Sequence, residues 1–265
     1  MKIVGKVERL WRYPVKSMRG EALREAYLGF AGIHGDRVFA FRSSASPKGF
    51  PYLTAREQRK LLSCQPRFRH PERSALPANL VDAETLAPGV GLTPAPTDAA
   101  DFMLDVGLPT GQSLAIDDPA LLHALRDGVH GAPELTLIRS DRAITDCRPI
   151  SLISVQTARQ VGDEVGASLD ARRFRANIYL DLNGSAGFAE DAFVGRSFRL
   201  GAKAVVSILR RDGRCAMITF DPDTGESNPA VLKRVTQSHE GKAGVYAAVL
   251  VEGIVREGDT VEMLE

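Results

Sequence analysis

Cys215 follows directly on Arg214, with Arg210 and Arg211 just upstream, in the stretch RRDGRCAMITFDPDTGE. The thiolate is the form of cysteine that binds metals, and neighbouring cations favour it. The competing reading is a small buried hydrophobe, because free cysteine is among the most buried residue types. Residues 215–220 alternate in character and predict a strand. The Asp-Pro-Asp-Thr-Gly run at 221–225 then predicts a sharp turn. Asp221 and Asp223 read first as turn makers and second as acids that could approach a pocket beside the cysteine and help relay protons there. Other basic and hydroxyl residues gather where strands are expected to end. Lys16 and Ser17 follow the first strand, Arg37 opens the second, and Arg172, Arg173 and Arg175 precede a strand that contains Asn177. Brought to one pole, such residues would form an anion site, since guanidinium grips phosphate oxygens in a fork. Taken singly, each arginine reads as a solvated surface charge. Ser154 reads as a helix N-cap, and the amides it leaves free would face a favourable place for an anion. Cys64 and Cys147 read as structural.

The elements that must position these residues are short. Residues 2–13 predict a strand with imperfect alternation, which Pro14 ends. A turn is expected over 29–35, a second strand over 38–41, and a loop over 43–49. Thr54 with Glu57 forms a capping box and predicts a helix through Leu62. Residues 87–97 are rich in proline and glycine and predict a surface loop. Asp118-Pro119 predicts a helix with Leu121, Leu122 and Leu125 on one face, stopped by Gly128. Residues 129–132 mark the domain boundary. Strands are then expected over 135–138, 149–153, 176–182, 197–200, 204–209, 245–251 and 258–264. A helix should follow Ser154, with Val155, Ala158, Val161 and Val165 at helical spacing, and another should run from Asn228-Pro229 to Val235. Many short strands with few helices give an α+β, mostly β class, a β-barrel or strongly bent sheet.

Composition narrows the function. The chain has 265 residues, 44% hydrophobic and 25% charged, which suits an ordinary globular protein with a sizeable core. A net charge of +1 argues against general nucleic-acid or acidic-membrane binding while allowing a local basic pocket. Three unpaired-looking cysteines suggest a reducing compartment, and the five scattered histidines lack zinc-site spacing. No apolar run reaches membrane-span length, and no signal-peptide pattern opens the chain, so the cytoplasm is expected. The glycine-rich nucleotide loops, HExxH and GxSxG are absent.

Several stretches resemble one family. WRYPVKSMRGE at 11–21, Gly35-Asp36-Arg37, Leu53-Thr54-Ala55-Arg56, Arg173-Phe174-Arg175-Ala176-Asn177-Ile178, and Arg214-Cys215 with the 221–225 turn occur in order along nearly the whole chain. They are similar to the motifs of MOSC proteins, the molybdenum cofactor sulfurase C-terminal domain family. The cysteine motif resembles that of the mitochondrial amidoxime-reducing component and its bacterial relatives. The resemblance implies a MOSC N-terminal β-barrel-type domain over 1–130 and a β-barrel MOSC core over 131–265. It implies a molybdenum-molybdopterin cofactor, with Cys215 as metal ligand and catalytic residue. Lys16, Ser17, Arg37, Ser154, Arg175, Asn177 and Arg214 would hold the pterin and its phosphate. The implied activity is reduction of N-hydroxylated small molecules. With no iron–sulfur or flavin motif in the sequence, electrons would come from a separate ferredoxin- or flavin-type protein. The alternative is a carrier of cofactor, or of a persulfide on Cys215. One departure stands out: where the mitochondrial relatives have a further cysteine before the ligand, this chain reads Arg211-Asp212-Gly213.

Overall fold

The computed structural model describes residues 2–80 and 98–264. The expected loop at 87–97 lies outside them. In chain order the strands are β1 (Lys2–Arg12), β2 (Glu21–Leu23), β3 (Glu25–Gly29), β4 (Gly32–Ile33), β5 (Phe39–Ser43), β6 (Gln65–Phe68), β7 (Leu104–Gly107), β8 (Ser113–Ala115) and β9 (Leu135–Arg139). They continue with β10 (Ile150–Ser154), β11 (Ile178–Leu182), β12 (Ser197–Leu200), β13 (Ala204–Gly213), β14 (Lys242–Val251), β15 (Gly253–Arg256) and β16 (Thr260–Met263). The class is α+β and mostly β, as the strand count in the sequence implies. None of the described helices is long and apolar enough to cross a membrane.

Seven strands close a barrel. The order β11-β10-β14-β13-β12-β16-β1 returns to β11 through a β1–β11 pairing, and β2 pairs with the end of β1, at residues 10–12. Val7, Leu10, Leu152, Ile178, Val206, Val245 and Val261 fill the interior. The imperfect alternation of β1 has a local cause. A register shift between Val7 and Arg9 inserts an extra residue, so Val7 and Leu10 both reach the core. Gly5 sits where β1 meets β11. A Cβ there would stand 2.2 Å from the Asp181 carbonyl oxygen, so only glycine fits.

A second core lies beside the barrel. It is built from β5 paired with β9, the β6-β7-β8 sheet and the helix Pro119–Arg126, and it buries Phe39, Phe41, Leu53, Leu61, Ile116 and Leu121. Phe220, from the cysteine segment, packs into this same core.

Two expected elements differ. The box at Thr54 forms, with the Thr54 amide donating to Glu57 Oε2 at 3.0 Å, but it closes a turn. Beyond that turn lies only a short 3-10 helix, Arg59–Ser63, capped by Gln58. The strand expected over 215–220 is absent. β13 pairs with β14 as far as Gly213 opposite Lys242, where the ladder has no further partner. Cys215 then caps a 3-10 turn, Ala216–Thr219, that swings Ile218 and Phe220 into two different cores. The helices Val155–Val165 and Pro229–His239 form as expected, the second running four residues past Val235.

His34 supplies a test of this packing. Burial, helped by nearby Arg12, drops its pKa from the usual 6.5 to about 4, and its ring lies 5.0 Å from that of Phe102. The native pKa is below the unfolded one, so the unfolded state takes up the proton first as pH falls. The stability contribution is complete above pH ~6.5 and is lost on descent towards ~4, by at most on the order of 3 kcal/mol. His34→Leu should flatten that slope in urea titrations at pH 7 and 4.5. A wild-type slope unchanged in the variant would contradict this assignment.

Candidate active site

Five segments meet over one end of the barrel and enclose a cavity of about 600 Å³. The first carries Lys16, Ser17 and Arg37, between β1 and β5, and the second Phe50 and Tyr52, just past β5. The third carries Arg175 and Asn177 ahead of β11, and the fourth Arg214 and Cys215 beyond β13. The fifth is the loop before β10, with Asp146, Cys147 and Arg148. Eight cationic side chains against three carboxylates line the space. That leaves five positive charges in excess in a chain whose net charge is only +1. Such a concentration raises the local density of anions.

The backbone is bent to aim these groups. Ser17, Arg37 and Arg175 have φ of 65°, 48° and 50°. Left-handed conformations are uncommon for residues with a Cβ and gather at functional sites. Buried Asp36 fixes one of them. It accepts the Tyr13 amide at 2.7 Å and pairs with the Arg37 guanidinium. Arg37 donates to the Arg175 carbonyl at 3.1 Å, and Arg175 donates to that of Met18 at 2.8 Å. Both guanidinium groups lie over the Tyr13 ring, 4.8 and 4.3 Å from its centre. Asn177 ties the layer to the barrel, accepting the Ser151 amide at 3.3 Å and donating to the Trp11 carbonyl at 3.3 Å.

Lys16 is 5% exposed. Its ammonium donates to the Ile144 carbonyl at 3.0 Å, pairs with Asp146, and sits over Phe50 and Tyr52. Burial pulls the Lys16 pKa down, and Asp146 partly offsets it. Arg214 donates to the carbonyls of Ala243 at 2.6 Å and Phe174 at 2.8 Å. Its Nη2 stands 2.9 Å from Asp212 Oδ2 as an ion pair without hydrogen-bond alignment. Arg173 donates to the Thr219 carbonyl and to Asp221, and its Nε is buried with no partner.

Lys16, Ser17, Arg37, Arg175, Asn177, Arg214 and Cys215 thus share one cavity. Ser154 does not. It caps its helix, accepting the Thr157 amide at 3.0 Å, and is fully buried. The anion position at that helix start is filled by the buried carboxylate of Glu190, which takes the Ser154 amide and hydroxyl and the Thr157 hydroxyl. Asp221 and Asp223 also fall outside the cavity walls. Asp221 accepts two amides of its own turn, and Asp223 pairs with Arg19 and Arg172, so they serve the turn. Cys64 is buried, and burial pushes its thiol up to about 11. Cys147, by contrast, is exposed and lines the same cavity as Cys215, contrary to the structural role expected for it. Its polar flanks, Asp146 and Arg148, are the sequence signal for that. Asp146, Asp212, Phe50, Tyr52 and Tyr246 are further wall residues that no local pattern in the sequence singles out.

The profile of the MOSC domain matches residues 129–262, just over half of the chain, and that of the MOSC N-terminal beta barrel domain matches residues 4–103. The chain belongs to the MOSC domain family. YiiM from Geobacillus stearothermophilus is 23% identical over 44% of this chain and 55% of its own, with a TM-score of 0.36. YiiM from Escherichia coli is 16% identical over the same shares, with a TM-score of 0.34. The YUAD protein from Bacillus subtilis is 12% identical over 98% of this chain and 95% of its own, with a TM-score of 0.48. This chain therefore spans about half the length of the YiiM proteins. No curated protein matches it.

MOSC domains are associated with binding of the molybdenum cofactor. The donor set suits that group. Among the described residues no cluster of three or more His, Cys, Asp or Glu forms a multidentate metal site. A metal seated at Cys215 must therefore bring most of its own ligands, as a metal held by a dithiolene does. The unpartnered Nε of Arg173 adds a donor for an anionic group.

Proposed function

We propose that this MOSC protein binds a molybdenum pyranopterin cofactor in the cavity and reduces N-hydroxylated small molecules, N–OH to N–H and water. One observation carries the reading: an exposed thiol, Cys215, in the wall of a strongly cationic cavity. Cys215 would be the protein's ligand to the metal, since a soft thiolate suits a metal already held by sulfur. Lys16, Arg37 and Arg175 would hold the phosphate, with Arg214, Ser17 and Asn177 holding the pterin. When bound, the cofactor would supply the electron pair and accept the oxygen. The chain itself fixes that group, shapes the space beside it with Phe50, Tyr52 and Tyr246, and manages protons. Electrons would come from a separate ferredoxin- or flavin-type protein, and the cytoplasm is the proposed location.

The carrier reading, delivery of cofactor or sulfur from Cys215, keeps one observation in its favour: Cys147 gives the cavity a second exposed thiol. An anaerobic assay separates the two. Metal-replete protein should reduce an amidoxime or hydroxylamine with a strong chemical reductant and show little turnover with NADH alone. No reduction, together with activation of an apo-molybdoenzyme, would replace the reductase by the carrier.

A further inference from the structure

The Lys16 ammonium is enclosed. Two of its three N–H donors go to the Ile144 carbonyl, at 3.0 Å, and to the Asp146 carboxylate. The ring centres of Phe50 and Tyr52 lie 5.2 and 5.0 Å from the nitrogen. Asp146 itself is half-exposed, on the loop between β9 and β10. That loop is also tied to the chain beside Lys16, because the Ile144 amide donates to the Arg37 carbonyl at 2.9 Å. The Asp146 charge acts on Arg37 and Arg175 as well. Partial burial would push its pKa up, but Lys16, backed by those two arginines, holds it below the usual carboxylate range. It is ionised at neutral pH.

A carboxylate of this chain therefore stands where an incoming anion would meet Lys16. Three cations, Lys16, Arg37 and Arg175, face two carboxylates, Asp36 and Asp146, which leaves one positive charge over. A phosphate dianion in place of Asp146 brings that set to neutrality. A monoanion in the same place leaves the charge as it was. A ligand binds more weakly in proportion to the fraction of molecules whose site is open to it. The Asp146 contact thus sets a threshold that an anion must exceed.

We propose that Asp146 is a built-in competitor at the Lys16 anion subsite: it leaves Lys16 when a phosphate monoester dianion binds, and it keeps singly charged anions out. The identity of the subsite rests on the reading above that Lys16, Arg37 and Arg175 hold the cofactor phosphate. The exchange itself concerns the polypeptide and phosphate alone, without metal or substrate.

Asp146→Asn keeps the size and removes the charge, and a half-exposed side chain carries little packing. Calorimetry on the metal-free protein at pH 8 should show inorganic phosphate binding about 10-fold or more tightly to Asp146→Asn than to wild type. Asp146→Glu, which keeps the charge, should stay close to wild type. Dimethyl phosphate, a monoanion, should bind measurably only to Asp146→Asn. Amide hydrogen exchange over residues 144–147 should speed up when phosphate binds wild type, because Lys16 releases the loop, and should not respond to phosphate in Asp146→Asn. Equal or weaker phosphate binding by Asp146→Asn, wild type that takes the monoanion as readily as phosphate, or wild-type loop exchange that ignores phosphate would overturn the proposal. No phosphate binding by either protein would overturn it together with the placing of the cofactor phosphate at Lys16. The expected binding results beside a metal-loaded protein that reduces nothing would contradict the reductase reading and still support Asp146 as the competitor.

Discussion

Lys16→Gln combined with Arg175→Gln is expected to leave a folded chain that no longer retains a phosphorylated cofactor. Both groups line the cavity, and neither is an ordinary surface charge. Lys16 is 5% exposed, and Arg175 is held by the Met18 carbonyl and the face of Tyr13. A charge-assisted hydrogen bond contributes on the order of 1.5–3 kcal/mol. Losing two of them weakens binding by about 3–6 kcal/mol, which is roughly 10²–10⁴-fold. Removing Lys16 leaves the Asp146 carboxylate without its partner, and that charge then repels the incoming phosphate. Lys16→Glu with Arg175→Glu should go further and abolish retention. Molybdenum and phosphate per chain after gel filtration measure the effect. Wild-type occupancy in the glutamine pair would mean that the anion lies elsewhere.

Much of this site is legible in the sequence because it is local. The Tyr13-Pro14 strand end, the Asp36-Arg37 pair and the Arg214-Cys215 pair each need only a few adjacent residues, and they bring Lys16, Arg37, Arg214 and Cys215 to the cavity. Regular elements with strong caps are legible for the same reason. Ser154 and Asn228 each precede a helix with apolar residues at helical spacing, and both helices form. The expectations that fail are non-local. Residues 215–220 alternate like a strand, but a strand needs a neighbour, and β14 begins at Lys242 opposite Gly213. Ser154 has the right chemistry for an anion, but Glu190, thirty-six residues away in sequence, already fills that place. In the sequence Asp212 is one more charge between arginines. Only closure of the barrel buries it against Ser151 and Tyr246. Cys147 finds its place only because its loop folds to face the same cavity as Cys215.

Cys215 decides whether the cavity is a metal site at all. Its thiol is exposed, and its residue caps a 3-10 turn through the backbone, with no side-chain cap bond. Cys215→Ala therefore removes little packing, and stability in urea should stay within about 0.5 kcal/mol of wild type. The metal should not tolerate the change, because Cys215 is its one proposed protein ligand. The most direct measurement is molybdenum content and X-ray absorption of wild-type and Cys215→Ala protein, purified side by side from a host that makes the cofactor. Wild type should carry up to one molybdenum per chain, with one sulfur ligand more than its dithiolene provides. The variant should lose the metal or lose that sulfur from its spectrum. Full molybdenum content with an unchanged spectrum in Cys215→Ala would contradict the account.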